Sequence, residues 1–270
     1  MIQSIYTSLA GMLSHRTRMD VLANNIANIN TPGYKAAQAS FQDTLYQTIR
    51  AGTAQSNPSQ MGTGVMLAAV INNFNQGSLV PTGRSLDLAI NGNGFFGVKA
   101  GDESGEDKIY YTREGSFYMD KDGYLLNAGG LRLVDQDENE IEIDVTKLID
   151  KITIARNGEI SVVYGDGQPL AEKPVIGLFG FPNPDGLVKV GGNLYAYNEE
   201  AKDNPAGEKF KGKPGENGFG TIESGSLEMA NIDMAYELGN LVMTQLGYAV
   251  NAKVFITSNE VLKETIDLKR

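Results

Sequence analysis

Gly92-Asn93-Gly94-Phe95-Phe96-Gly97 carries the G-x-G-x-x-G spacing with which a chain cradles a dinucleotide pyrophosphate. That chemistry needs a helix N-terminus directly afterwards. Here Val98-Lys99-Ala100-Gly101 follows, without helical period. The spacing therefore reads as tight turns and close strand packing. Asp135-Gln136-Asp137-Glu138-Asn139-Glu140 opens like a calcium loop. Glu140 replaces the required glycine, and Thr146 stands where a bidentate glutamate belongs, so the run reads as a solvated acidic turn. Asp120 and Asp122, ahead of Gly123, are turn residues for the same reason. His15 is the only histidine and there is no cysteine, which leaves a zinc site without ligands. No nucleophile-elbow sequence offers His15 a serine partner. Among 33 acidic residues, no spacing singles out a general acid and base. The expectation is a protein that is not an enzyme, with no catalytic, metal or cofactor-binding residue and no cofactor.

Composition narrows the classes further. A hydrophobic fraction of 41% over 270 residues is globular. The formal charge of -10 argues against nucleic acid, whose phosphates demand a basic face, and against an anionic membrane surface. No apolar run approaches the roughly 20 residues that span a bilayer, so no membrane insertion is expected. Gln3, Ser4, Thr7, Ser8 and Gly11 interrupt the start, unlike an ordinary cleaved signal peptide.

Two helix-prone, apolar ends flank a glycine-rich body. Ile5, Met12, Met19 and Ile26 recur every seven residues, with Ile2, Leu9 and Ala23 at the second seam position, where Arg16 interrupts, and Leu22 beside them. The helix should stop by Asn30, because Thr31-Pro32-Gly33 restricts the backbone and then breaks it. Residues 34–50 read as a shorter helix or an extended arm, and 51–64 as a loop. Strands with hairpin turns at Asp122-Gly123, Asn157-Gly158 and Asp185-Gly186 are expected through the middle, and a long exposed loop over Glu199–Gly220. A final helix begins after Asn231 as N-cap, and Leu238, Leu241, Val242, Leu246, Phe255 and Leu262 help make it apolar over half its circumference. Lys263, Lys269 and Arg270 suit its C-terminal pole. The fold class is α+β: terminal helices forming an α-helical coiled-coil domain and a central all-β domain. The organisation is 1–30 with 230–270 as a discontinuous helical domain, 31–69 with 221–229 as connecting region, and 70–220 as β-rich body.

Asn24-Asn25-Ile26-Ala27-Asn28-Ile29-Asn30-Thr31-Pro32-Gly33-Tyr34-Lys35 resembles the signature that ends the first helix of bacterial flagellar rod and hook proteins. Further blocks resemble that family: Gln76-Gly77-Ser78-Leu79 with Thr82-Gly83 and Leu86–Phe96; Tyr111-Thr112-Arg113-Glu114-Gly115-Ser116-Phe117; and Gly225-Ser226-Leu227-Glu228-Met229-Ala230-Asn231-Ile232-Asp233. Leu45–Arg50 and Gly62–Val65 look most like the family's distal-rod branch. Where the family usually has Gln-Arg before an aromatic, this chain has Gln245-Leu246-Gly247-Tyr248.

The resemblance implies a structural subunit of the flagellar basal body that polymerises with itself into a hollow helical shaft. Other rod and hook proteins and the flagellar type III export apparatus are the implied partners, with export needing no cleaved signal peptide. It makes the two apolar stripes inter-subunit surfaces, assigns Asn24, Asn25, Ala27, Asn28, Thr31, Gly33 and Tyr34 to the family motif, and lets Asn24, Asn25 and Asn28 bond between helices. Phe41 and Leu45 resemble the segment offered to the export gate; on a short helix they would be only an i,i+4 pair. A proximal rod or hook paralogue, a secreted cell-wall-active β-rich protein, and a binding module whose helices fold back on it stay open at this point.

Overall fold

The computed structural model describes residues 2–52, 57–100, 108–145, 148–165, 173–197 and 206–268. The chain divides into two compact units. One gathers Met1–Asn28, Ala36–Asn73 and Ile232–Arg270; the other gathers Ile29–Lys35 and Phe74–Asn231.

The first unit holds both long helices, α1 (Ile2–Ala27) and α2 (Met234–Asp267), with strands β1 (Ala37–Asp43), β2 (Tyr46–Arg50), β3 (Ser59–Gly62) and β4 (Val65–Asn72). Of the two conformations open to residues 34–50, the extended one forms. β1 pairs antiparallel with β4 from Ala37↔Asn72 to Asp43↔Val65, with a bulge at Ser40/Phe41, and β2 pairs with β3. Asn25 starts this ladder: its side chain donates to the Ala37 carbonyl at 2.8 Å and accepts from the Ala37 N–H at 3.0 Å. Residues 36–73 thereby join the helical unit. The cap of α2 differs from expectation. Asp233, not Asn231, is the N-cap, its Oδ1 accepting from Ala235 N at 2.9 Å and Tyr236 N at 3.2 Å, a bond worth about 1 kcal/mol. Asn231 instead donates to the Asn75 carbonyl in the second unit. Lys269 and Arg270 lie outside the described residues.

Among its described residues the regular elements of the second unit are strands, apart from a 3₁₀ turn at Pro184–Gly186. Its strands are β5 (Leu79–Pro81), β6 (Leu88–Asn91), β7 (Phe95–Lys99), β8 (Ile109–Thr112), β9 (Tyr118–Met119), β10 (Leu125–Leu126), β11 (Arg132–Leu133), β12 (Ile149–Ile154), β13 (Ile160–Tyr164), β14 (Leu178–Gly180), β15 (Val188–Gly191), β16 (Leu194–Ala196), β17 (Phe210–Gly212), β18 (Thr221–Ser224) and β19 (Ser226–Glu228). The main sheet runs β15-β16-β8-β7-β11-β10-β9, and β14 shares the β11 edge of β7 before pairing with β17. β18 pairs with β6 and β19 with β5, so the segment before α2 is woven into the strands of the central block.

β7 sits at the centre and is buried on both faces, as its unbroken run Phe-Phe-Gly-Val requires. Phe96 and Val98 join one core cluster with Leu88, Ile90 and Leu133; Phe95 joins the other with Tyr111, Phe179 and Tyr195. Gly97 faces Phe179, whose ring lies 2.4 Å from where a Cβ would stand. Gly92 and Gly94 take φ of 117° and 132° in the turn into β7. The glycine spacing thus serves the turn and the packing.

The Asp122-Gly123 turn joins β9 to β10, and Asn157-Gly158 lies between β12 and β13. Asp185-Gly186 makes the 3₁₀ turn and no hairpin, since its neighbours β14 and β15 pair with other strands. Of the loop expected over Glu199–Gly220, residues 199–205 lie outside the described set; Ala206 is buried, and Phe210–Gly212 forms β17 against β14. The segment joins the sheet through its backbone, in the register Phe210↔Gly180, Lys211↔Phe179 and Gly212↔Leu178, while the Phe210 side chain stays exposed. The acidic turn is built on Asp135, whose Oδ1 accepts from Asp137 N and Asn139 N; Glu138 pairs with Lys209 and Glu140 with Arg132. Thr146 lies outside the described residues.

Candidate assembly interface

α1 and α2 pair antiparallel. Ser4 meets Ser258 hydroxyl to hydroxyl at 3.2 Å, Gly11 faces Asn251, His15 faces Gly247, and Asn25 hydrogen-bonds Glu237. The buried residues of the pair are Ser8, Gly11, Ser14, Leu22 and Asn25 on α1 and Glu237 and Thr244 on α2. Apart from Leu22 these side chains are small or polar, and two of them also hold the strands: Ser14 donates to the Val65 carbonyl and Asn25 to the Ala37 carbonyl. Of the apolar stripe residues, Leu22 alone is buried; Ile5, Met12, Met19, Ile26, Leu241, Phe255 and Leu262 are half-buried, and Leu9, Leu238, Val242 and Leu246 are exposed. Val242 and Leu246 keep 54% and 56% of their surface. Both helices hold more apolar surface than one narrow intrachain strip covers.

Phe41 lies on β1 with its ring edge-on to His15 at 6.2 Å and the Arg18 guanidinium 5.9 Å over it. Leu45, between β1 and β2, is 88% exposed. The segment is extended, so the pair shares no helix.

Two titratable groups sit in the seam. Burial first, and Arg18 second, hold His15 below the ordinary imidazole pKa, and its Nδ1 is buried without a hydrogen-bond partner. Burial raises Glu237 above the usual carboxylate range, against the opposing pull of Asn25 and Arg18; its Oε2 also lacks a partner. The signs oppose. The neutral-His15 contribution is complete above the unfolded-state pKa and is lost as pH falls through the depressed folded value. The cost of ionised Glu237 is present at neutral pH and is relieved as pH falls through its raised value. Glu237→Gln is expected to raise the α1–α2 unfolding midpoint at pH 7, with the gain shrinking toward pH 4, in thermal scans by circular dichroism. A gain independent of pH would remove the charge explanation.

The family-motif residues divide between the units. Asn28 caps the end of α1 through Nδ2 bonds to the Asn24 carbonyl (2.8 Å) and Oδ1 (2.9 Å), while Ala27 is exposed. In the second unit Thr31 is half-buried, and Gly33 and Tyr34 are buried. Gly33 takes φ of +71°, donates from N–H to the Glu228 carbonyl at 2.7 Å, and lies so close that a Cβ would stand 2.4 Å from Glu114 N.

Beside it is a buried ionic cluster that sequence reasoning passed over. Glu228 Oε1 accepts from Lys35 Nζ at 2.7 Å and from Gly77 N–H at 2.8 Å, and Oε2 accepts from Arg113 Nη1 at 3.3 Å. Lys35 Nζ also donates to the Asn75 carbonyl, and Arg113 Nη2 to the Gly92 carbonyl. The Glu228 side chain is 0% exposed and the two cations 5% or less. Burial pulls Lys35 and Arg113 below their ordinary pKa values, and Glu228 opposes that pull for both. A carboxylate held by two cations and a main-chain N–H anchors the segments that supply them. The cluster draws on three separate stretches of chain: Lys35 after α1, Gly77 and Arg113 in the centre, and the acceptor Glu228 before α2. All four residues stand inside the blocks that carry the family resemblance; burial is the signal that sequence lacks, because charged side chains are ordinarily exposed.

Three family models match. The flagella basal body rod protein model covers residues 5–35, the flagellar hook protein FlgE/F/G D1 domain covers 89–162, and the flagellar basal body rod FlgEFG protein C-terminal model covers 223–268. The rod protein FlgG of Bacillus subtilis is 35% identical over 276 residues, covering 100% of both chains. FlgG of Buchnera aphidicola subsp. Acyrthosiphon pisum is 37% identical, covering 99% of this chain and 100% of its own. The hook protein FlgE of Treponema pallidum is 39% identical over 140 residues, which is 49% of this chain and 29% of that protein. No helix among the described residues is long and apolar enough to cross a membrane. A full-length likeness, together with matches at both helices and the central strands, means that this chain belongs to the flagellar basal-body rod and hook protein family, as a structural rod subunit most like the distal rod protein FlgG.

Proposed function

We propose that the chain polymerises into the hollow shaft of the flagellar rod, its terminal helices forming a coiled-coil inner tube and its β unit the outer wall. Other rod and hook proteins cap its two ends, and the shaft transmits torque while leaving an export channel free. The subunit reaches its place through the flagellar type III apparatus without a cleaved signal, offering the Phe41–Leu45 segment to the export gate. One observation carries this reading: the helix pair spends small and polar residues on itself and leaves Leu238, Val242 and Leu246 exposed. Neighbouring copies supply the burial that such side chains lack, at roughly 25 cal/mol per Å² of apolar surface covered. Contacts that repeat head-to-tail without closing give a helical filament.

The test places a charge on that face. Val242→Asp with Leu246→Asp is expected to leave the monomer's circular dichroism intact while abolishing rod assembly and motility in cells carrying only the variant. Normal motility of that variant would refute the inner-tube role of α2.

A further inference from the structure

We infer that Asn217-Gly218 is a self-modifying site, at which the chain converts its own asparagine to aspartate and isoaspartate with water as the only co-reactant. The Gly218 amide nitrogen attacks Asn217 Cγ. The N–Cγ bond forms, ammonia leaves with the Gly218 proton, and a five-membered succinimide closes. Water then opens the ring. Opening at the Cγ carbonyl gives aspartate; opening at the main-chain carbonyl leaves the backbone running through the side chain, as isoaspartate. No electron is transferred.

The reaction favours glycine after asparagine, because a side chain there crowds the attacking nitrogen. The chain offers that pair four times, at Asn91, Asn93, Asn157 and Asn217. The fold holds three of them back. Gly92 N–H donates to Gln76 Oε1 at 3.0 Å, and the Asn91 amide donates to Glu223 Oε1 at 3.1 Å. Gly94 is buried, and the Asn93 carbonyl accepts from Gly220 N–H at 2.7 Å. Gly158 is buried too; its N–H donates to the Ala155 carbonyl at 2.9 Å, while Asn157 Oδ1 accepts from Glu159 N–H at 3.3 Å. Asn217 and Gly218, in the turn between β17 and β18, are both exposed, and neither makes a hydrogen bond among the described residues. A Cβ on Gly218 would meet nothing within 4 Å. Asn217 takes φ of +51°, which asparagine tolerates only at a cost.

The products disturb their surroundings. Gly215 N–H donates to the Gly220 carbonyl and Phe219 N–H to the Glu216 carbonyl, each at 2.9 Å. The Phe219 ring covers Gly180 and Gly212, 3.0 and 2.8 Å from where their Cβ atoms would stand. Isoaspartate lengthens the backbone between Glu216 and Phe219 by a methylene, and either product adds a negative charge. The change is one-way and loosens the turn that seats Phe219 as the molecule ages. It needs no neighbouring copy, so it stands apart from the polymer reading above.

The test incubates the full chain at mildly alkaline pH, native and in urea. Peptide mapping by mass spectrometry reads the gain of about 1 Da when the amide NH₂ becomes OH. Labelling with an isoaspartyl methyltransferase separates isoaspartate from aspartate. In the native chain Asn217 is expected to react about tenfold faster than Asn157, whose ring closure must first break two hydrogen bonds. In urea the four sites should converge, since only the fold tells them apart. Asn217→Gln should remove the fast native reaction, because its ring would need six members, and leave the other three sites unchanged. A native chain in which Asn91, Asn93 or Asn157 keeps pace with Asn217 would overturn the site. So would a native Asn217 that stays intact while its urea-unfolded counterpart reacts.

Discussion

Glu228→Ala is expected to lower the stability of the folded chain by about 3–5 kcal/mol, the penalty for leaving buried charges without their partner. Three donors converge on this carboxylate: the Lys35 ammonium, the Arg113 guanidinium and the Gly77 N–H. None can turn to water, because the side chains involved are at most 5% exposed. Glu228→Gln should cost less, since its carbonyl oxygen still accepts one hydrogen bond while the counter-charge is lost. Lys35→Met should also cost less than Glu228→Ala, because the carboxylate keeps Arg113 and Gly77. Urea unfolding followed by tyrosine fluorescence measures all three; the chain has 12 tyrosines and no tryptophan. A change below about 1 kcal/mol for Glu228→Ala would mean that the cluster carries no more than an exposed pair.

Gly33→Ala is expected to cost about 3 kcal/mol or more, and Gly83→Ala only about 1 kcal/mol. Both glycines occupy the left-handed region, at φ of +71° and +77°. A side chain there costs roughly 1–2 kcal/mol in either place. The difference lies in the space around them. Nothing stands within 4 Å of a Cβ at Gly83, whereas at Gly33 the nearest atoms are main chain, Glu114 N at 2.4 Å and the Arg113 carbonyl carbon at 2.7 Å. The Glu114 N–H is itself held by the Thr112 hydroxyl at 3.0 Å, and main chain so held cannot step aside as a side chain can. Gly33 also donates to Glu228, so movement there disturbs the ionic anchor. Equal midpoints for the two variants in the same urea titration would show that the close approach carries no cost.

Much of this was legible beforehand because it is local. The stop of α1 before Thr31-Pro32-Gly33, the turns at Asp122-Gly123 and Asn157-Gly158, and the refusal of Gly92–Gly97 to open a helix depend on a few neighbouring residues. The cap of α2 is not a local matter: Asn231 and Asp233 are equally good caps by type, and Asn231 is taken up by its bond to the Asn75 carbonyl while Asp233 caps the helix. Asp185-Gly186 has hairpin chemistry, yet the partners of β14 and β15 lie elsewhere.

Residue order by itself determined the element types at both ends, the strand-rich middle, and the family, because periodicity, turn chemistry and motif spacing act over short stretches of chain. Only tertiary structure decided which face of each helix meets the other and which charges are buried. Heptad spacing marks where apolar residues lie but not which partner covers them, and the seam went to Ser8, Gly11 and Thr244 while Leu246 stayed outside. Lys35, Arg113 and Glu228 look like any solvated charges until residues 193 apart in the chain are brought within hydrogen-bonding distance. Such pairings depend on the whole chain's packing, which no local pattern encodes.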